Sequence, residues 1–237
     1  VLTSAHSRLP QSLTFPAAEQ LTKIEFQRKN QMKFCRIGQK GQEIPAVLDD
    51  TGVPRSLVGI IADIDSLSVQ NLKTLLEDVD IASLPLANGE RYGPCVAPTS
   101  RVICIGLNYS DHAAESGLPI PKEPIVFMKS CLLTGPNDDV AIPPEAKKVD
   151  WEAELAVVIA RRTYRISEAE VPNSIAGYCI MNDLSERAFQ HERGGQWIKG
   201  KSLPGFAPLG PWLVTPDEVD PDKLDVWLDV DSERYQD

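Results

Sequence analysis

Apolar positions in this chain fall in short runs separated by Gly, Pro and Asn, some alternating with polar residues and some continuous, the marks of half-buried and buried strands. Met32-Lys33-Phe34-Cys35-Arg36-Ile37-Gly38 alternates in this way, and Pro45–Leu48 and Val58–Ile61 read as further short strands. Between Ser66 and Val79 the period becomes helical, with Leu67, Leu72, Leu75 and Leu76 able to share one face. Residues 87–100 hold Gly, Pro and Asn, as a linker does. Beyond it lie a strand at Arg101–Gly106, reading as buried, and a short helix capped by Ser110 or Asp111 and closed by Gly117 and Pro119. Strands then recur at Ile125–Met128, Leu155–Ile159, Ala176–Met181, Leu213–Val214 and Val226–Val230, the second of them reading as buried. The pattern predicts a mostly β (α+β) protein, with a small N-terminal α+β domain over 32–95 and a larger β-rich domain over 99–237. Residues 1–31 are polar and weakly patterned and are expected to be an extension or a disordered tail. Asp231–Arg234 reads as a turn whose returning strand begins at Tyr235, so the second domain is expected to be incomplete at its C-terminus.

Composition narrows the function classes. With 42% hydrophobic and 24% charged residues over 237 positions, the chain is of ordinary globular make-up. A net charge of −10 argues against nucleic acid or an anionic membrane as partner, because phosphate binding relies on Lys and Arg. A small anionic substrate stays open, provided local cations set the field. Cys35, Cys95, Cys104, Cys131 and Cys179 are odd in number and show no C-x-x-C spacing, so reduced thiols and a cytoplasmic setting are expected. No apolar stretch approaches a membrane span.

Four places can carry chemistry. Glu152 and Glu154 stand two apart at the head of the Leu155–Ile159 strand, so both face one side. Two acids entering an interior together need a positive partner, and a hard divalent cation is the simplest; a solvated strand end explains the spacing equally well. His112 and Glu115, three apart on the short helix, form either a water-activating pair or a fortuitous surface contact. Asp183 closes the Ala176–Met181 strand as either a third oxygen ligand or the N-cap of the next helix, with Glu186 completing a capping box. Lys201, among glycines and one aromatic, either supplies a cation to a substrate oxygen or is an exposed lysine like most. No G-x-S-x-G elbow, phosphate loop or dinucleotide fingerprint occurs, and His6 and His191 lack zinc spacing.

Taken in chain order, these residues resemble the fumarylacetoacetate hydrolase family from about Arg101 onward. The match runs through Gly106-Leu107-Asn108-Tyr109 with His112 and Glu115, Pro124–Lys129, Trp151-Glu152-Ala153-Glu154-Leu155, Asn182-Asp183 with Arg187 and Gln190, and Lys201 leading to Pro208-Leu209-Gly210-Pro211. The leading domain resembles that of the branch holding diketo-acid hydrolases and ureidoglycolate lyase-like proteins. The resemblance implies a coiled, barrel-like β roll as catalytic domain, usually a homodimer. It implies Glu152, Glu154 and Asp183 as ligands of Mg²⁺, with Mn²⁺ or Ca²⁺ as variants, His112 and Glu115 as the water-activating dyad, Lys201 as a cation at the substrate oxygens, and Arg187 and Gln190 as site-lining residues. The implied reaction is C–C bond hydrolysis in 2,4-diketo acids to pyruvate and a carboxylic acid. The alternatives are decarboxylase, isomerase or lyase action on oxaloacetate- or ureidoglycolate-type acids, and a catalytically impaired paralogue. Leu203-Pro204-Gly205-Phe206 departs from the Asp-Thr-Phe that commonly follows the family's lysine, and the family's C-terminal Gly-Thr-Pro segment does not occur before Asp237.

Overall fold

The computed structural model describes residues 32–99, 101–110, 117 and 119–236. Chain order gives β1 (Lys33–Ile37), β2 (Ile44–Leu48), β3 (Pro54–Ser56), helix α1 (Leu72–Leu76), β4 (Val102–Gly106), β5 (Ile125–Lys129), β6 (Val149–Asp150), β7 (Ala153–Ile159), β8 (Ile175–Asn182), β9 (Ser185–Glu186), helix α2 (Ile198–Lys201), β10 (Leu213–Val214), β11 (Leu228–Val230) and β12 (Glu233–Gln236). Six strands form one sheet in the order β3-β2-β1-β10-β8-β7, and β4-β5, β6-β9 and β11-β12 form three separate pairs. This is a strand-rich α+β fold with few helices, as the alternation predicts; the described residues form no closed barrel.

One sheet and one core draw from both sides of the 87–100 segment. β1 pairs with β10 through Lys33 with Val214 and Phe34 with Leu213, and Phe34, Val47, Leu57 and Ile64 share a core cluster with Cys179, Met181, Phe206 and Leu213. One ion-paired arginine adds to this join: Arg91 reaches Glu43 at 2.7 Å and Asp138 at 2.6 Å.

Several expectations need correction. Val58–Ile61 is not a strand but a turn closed by a Val58–Ile61 bridge, because Gly59 takes a φ of 94° and the Ile60 N–H returns to the Leu57 carbonyl; the strand lies earlier, at Pro54–Ser56. The helix expected over Ser66–Val79 shrinks to Leu72–Leu76. Its buried face is Val69, Leu72 and Leu76, while Leu67 and Leu75 are exposed. An Asp65 carboxylate that accepts the Leu67 and Ser68 N–H groups holds the preceding residues in turns. Neither strand expected to be buried is so throughout: Leu155, Ala156 and Val158 are half-buried with Val157 and Ile159 outward, and in β4 Ile103 and Ile105 are exposed. The expected helix around 110–117, with His112 and Glu115, lies outside the described residues apart from Ser110 and Gly117. The C-terminal turn does form: Asp231 and Ser232 take φ of 49° and 69°, the paired left-handed residues of a tight hairpin, and the returning strand starts at Glu233 rather than Tyr235.

β8 carries the site at its end, and its register against β10 is set by a missing side chain. A Cβ on Gly177 would meet the Val214 carbonyl oxygen at 2.3 Å. Gly177→Ala is therefore expected to cost about 2 kcal/mol or more, read as a lowered urea midpoint with an unchanged slope.

Candidate active site

Antiparallel pairing of β7 with β8 sets Ala153 opposite Asn182 and Glu154 opposite Met181, so the acids at the start of one strand meet the acid at the end of the other. Backbone bonds lock this junction: the Asp183 N–H donates to the Glu152 carbonyl at 2.8 Å, and the Glu152 N–H to Asn182 Oδ1 at 3.2 Å. On the far side of β7, the Gln236 side-chain amide both donates to and accepts from the Ala153 backbone, at 2.8 and 2.9 Å. The C-terminal hairpin thus braces the strand that carries the glutamates.

Asp183 is 4% exposed and is met by two lysines that are themselves out of solvent, Lys129 at 0% and Lys201 at 1%. Lys129 Nζ donates to Asp183 Oδ1 and to the Leu184 carbonyl, the latter at 2.9 Å. Lys201 Nζ donates to Asp183 Oδ2 at 2.9 Å and to Glu152 Oε2 at 2.5 Å. Burial works against the Asp183 anion, but the two ammonium groups outweigh it and hold the carboxyl below its ordinary range. Arg187 adds a third cation, with Nη2 2.6 Å from both Glu152 Oε1 and Asp150 Oδ2, and its Nη1 donates to Gln190 Oε1 at 3.1 Å. Glu154 differs. Its partner is the Tyr109 hydroxyl, and burial, with the Glu152 and Asp183 charges, pushes its carboxyl up to about 7.

The structure therefore gathers Glu152, Glu154, Asp183, Lys201, Arg187 and Gln190 at one end of a cleft of about 1280 Å³, walled by β4 on one side and β7 on the other. His112 and Glu115 lie outside the described residues. The alternative roles for two residues are excluded. Asp183 caps no helix, since β9 follows it, and Glu186 instead accepts N–H groups from Lys147, Lys148 and Phe189. Lys201 is no surface lysine. Three residues escaped the reading of the sequence: Lys129, Asp150 and Tyr109. Lys129 was legible, because alternation from Ile125 through Phe127 puts it on the inner face of β5. Tyr109 is delivered by Leu107, whose φ of 50° turns the chain sharply at the end of β4.

The donor chemistry of the three carboxylates suits a hard divalent cation, and the elevated Glu154 shows that two neighbouring acids leave it short of positive charge. Among the described residues no group of three His, Cys, Asp or Glu side chains is already arranged to hold an ion, because Lys201 Nζ stands between Glu152 and Asp183.

Residues 101–237 match the profile of the fumarylacetoacetate hydrolase C-terminal domain. The chain belongs to the fumarylacetoacetate hydrolase family. A Burkholderia ambifaria relative named "Putative hydrolase" is 52% identical over 210 residues, spanning 86% of this chain and 74% of the relative. Among solved structures, a fumarylacetoacetate hydrolase from the psychrophile Exiguobacterium antarcticum is 30% identical at a TM-score of 0.73, covering 86% of this chain and 74% of that one. A 2-hydroxyhepta-2,4-diene-1,7-dioate isomerase from Mycobacterium marinum is 29% identical at a TM-score of 0.65, covering 86% and 73%. The family member described here keeps its five cysteines as free thiols, and no helix among its described residues is long and apolar enough to cross a membrane.

The state of Glu154 generates a pH prediction for metal-free protein. A carboxyl whose folded pKa lies above its unfolded one binds its proton more tightly when folded, so stability falls as pH rises from about 4.5 to about 7. Glu154→Gln removes that penalty. Chelator-treated Glu154→Gln is expected to melt higher than wild type at pH 8 and to show no such advantage at pH 4.5, compared by thermal denaturation.

Proposed function

We propose that this family member hydrolyses a C–C bond in 2,4-diketo acids of the acylpyruvate type, giving pyruvate and a carboxylic acid. The observation that carries the reading is the buried meeting of Glu152, Asp183, Lys129 and Lys201 at the mouth of β8, with Glu154 beside them. Glu152, Glu154 and Asp183 would hold a divalent cation, Mg²⁺ with Mn²⁺ or Ca²⁺ as variants, which when bound would supply Lewis-acid polarisation of the substrate's keto oxygens. His112, oriented by Glu115, takes a proton from water. The water oxygen bonds to the distal carbonyl carbon, the bond from that carbon to the methylene breaks, and its electron pair passes into the pyruvate enolate. The proton held on His112 returns to the methylene carbon, so the products are pyruvate and the acid. Lys201 has three N–H donors and spends two on Glu152 and Asp183, leaving one for the developing enolate oxygen. Arg187 and Gln190 line the same end and orient the substrate carboxylate.

A second reading keeps the enolate chemistry and omits water: isomerase, lyase or decarboxylase action. It is favoured by the likeness to the Mycobacterium marinum isomerase. Incubation of the protein with Mg²⁺ and acetylpyruvate is expected to yield pyruvate and acetate, with no carbon dioxide from oxaloacetate; the reverse pattern selects the decarboxylase. His112→Ala should lower turnover by about 100-fold or more while keeping the Mg²⁺-induced rise in melting temperature. Glu152→Ala should lose both, and an active His112→Ala enzyme rules out the dyad. A protein that gains stability from Mg²⁺ yet turns over no keto acid is the impaired paralogue.

A homodimer goes with this reading. The outward side of β4 and β5 presents Ile103 opposite Met128 and Ile105 opposite Val126, with Ile103 59% and Val126 62% exposed. An exposed apolar face of this kind suits a second copy. Light scattering after size exclusion is expected to give twice the chain mass, reverting to one chain mass in Ile103→Lys/Val126→Lys.

A further inference from the structure

Beside the charged cluster the cleft is walled by rings. Trp197 and Lys201 are four residues apart on one helical turn, with the Lys201 N–H donating to the Trp197 carbonyl at 3.1 Å, so their side chains leave the same face. The indole meets Phe127 edge-on with centroids 5.3 Å apart, and Lys201 Nζ lies 5.2 Å from the centre of the Phe127 ring. Cys104 is the register partner of Phe127 across β4 and β5 and faces the same way. Burial, with Asp183 nearby, pushes its thiol up to about 12, so it is a neutral, weakly polar wall. Gly106 completes the seat by absence: a Cβ there would come within 2.9 Å of Trp197 Cζ3.

The cations at this end are committed to the carboxylate cluster and, on the reading above, to the keto-acid end of the substrate. Lys201 serves Glu152 and Asp183, Lys129 serves Asp183 and the Leu184 carbonyl, and Arg187 serves Asp150, Glu152 and Gln190. A second carboxylate on the substrate's acyl arm, seated here, would lose its water and meet rings and a thiol. His191, whose ring meets Trp197 edge-on at 5.7 Å, is held towards its neutral form by burial and by the Arg187 and Lys201 charges, so the exposed Arg101, just before β4, is the one other positive charge along that wall among the described residues lining the cleft.

Resting on the acylpyruvate reading above, we propose that Phe127, Trp197 and Cys104 form the subsite for the acyl group and select an apolar chain or ring over a carboxylate-bearing one. The protein with Mg²⁺ is assayed on acetylpyruvate, hexanoylpyruvate and succinylpyruvate, comparing kcat/KM. Hexanoylpyruvate is expected to exceed acetylpyruvate by roughly tenfold or more, with succinylpyruvate below both. Trp197→Ala should bring the hexanoyl-to-acetyl ratio towards one, and Trp197→Phe should keep most of it. Equal values on all three substrates overturn the subsite, as does a preference for succinylpyruvate that Arg101→Ala abolishes. Turnover of none of the three sinks the diketo-acid reading separately. The subsite then stands or falls on binding: hexanoylpyruvate, and not succinylpyruvate, should change tryptophan fluorescence in the wild type, and the change should vanish in Trp197→Phe. No fluorescence change in the wild type ends it.

Discussion

A carboxylate almost out of reach of water can stay ionised only if cations come to it, and Asp183 obliges two lysines to do so. They arrive from β5 and from α2, 54 and 18 residues away in the chain. The strand end, the two-stranded pair and the short helix are thereby held at one point. Breaking a buried pair of this kind by removing one member costs about 3–5 kcal/mol, because the survivor keeps its desolvation penalty and loses its compensation. The mutual position of β5, β8 and α2 is thus as much an electrostatic requirement as a packing one. Aliphatic contacts surround the junction, in the cluster of Cys179, Met181, Leu133 and Leu209, but they carry no directional information comparable to three charge-assisted bonds.

The cluster is balanced short of neutrality. Asp150, Glu152, Glu154 and Asp183 face Lys129, Lys201 and Arg187, and the deficit falls on Glu154. Its position explains why. Arg187 and Lys201 take both oxygens of Glu152, and the two lysines take both oxygens of Asp183, so Glu154 is left with a tyrosine hydroxyl. A site optimised only for folding would place an apolar residue at 154, since a buried acid there lowers stability at neutral pH. A buried acid left short of positive charge beside two other acids suits a place for a cation, at a cost in stability.

Much of this was legible in the chain. Alternation and short apolar runs between turn residues locate β1, β2, β4, β5, β7, β8 and β10 to within a residue or two, because apolar side chains on these strands are what the core requires, on both faces in β1 and on one in β4. The pattern failed where local hydrogen bonding overrode it. Asp65 breaks the start of the helix expected from Ser66, and Gly59 turns Val58–Ile61 back on itself. At the site, the Glu152-Ala153-Glu154 spacing carried its own geometry. Asp183 and Lys201 did not, since a cap and a surface lysine explained them as well until β7 and β8 were seen in register. Lys129 was passed over although its strand alternation pointed inward. A lysine ending an apolar strand reads as a solvated terminus unless an acid is known to wait for it. Asp150 was likewise invisible, because its role is to hold Arg187, a partner 37 residues on.

The short turn Trp197–Lys201 joins two demands that are usually met by separate elements. Four residues put the indole and the ammonium on one face, so any movement that displaces one displaces the other. Gly200 makes the turn possible at that spot: a Cβ there would strike the Glu186 carbonyl oxygen at 2.3 Å and the Gln190 nitrogen at 2.7 Å. The turn therefore packs directly on the segment that presents Asp183, Arg187 and Gln190, and the ring wall stands at a set distance from the charges. On the proposed reading, a substrate long enough to touch Trp197 would by that contact be aligned with Lys201, turning binding of the non-reacting part into orientation of the reacting one. A loop could carry either side chain, but it could not guarantee their spacing.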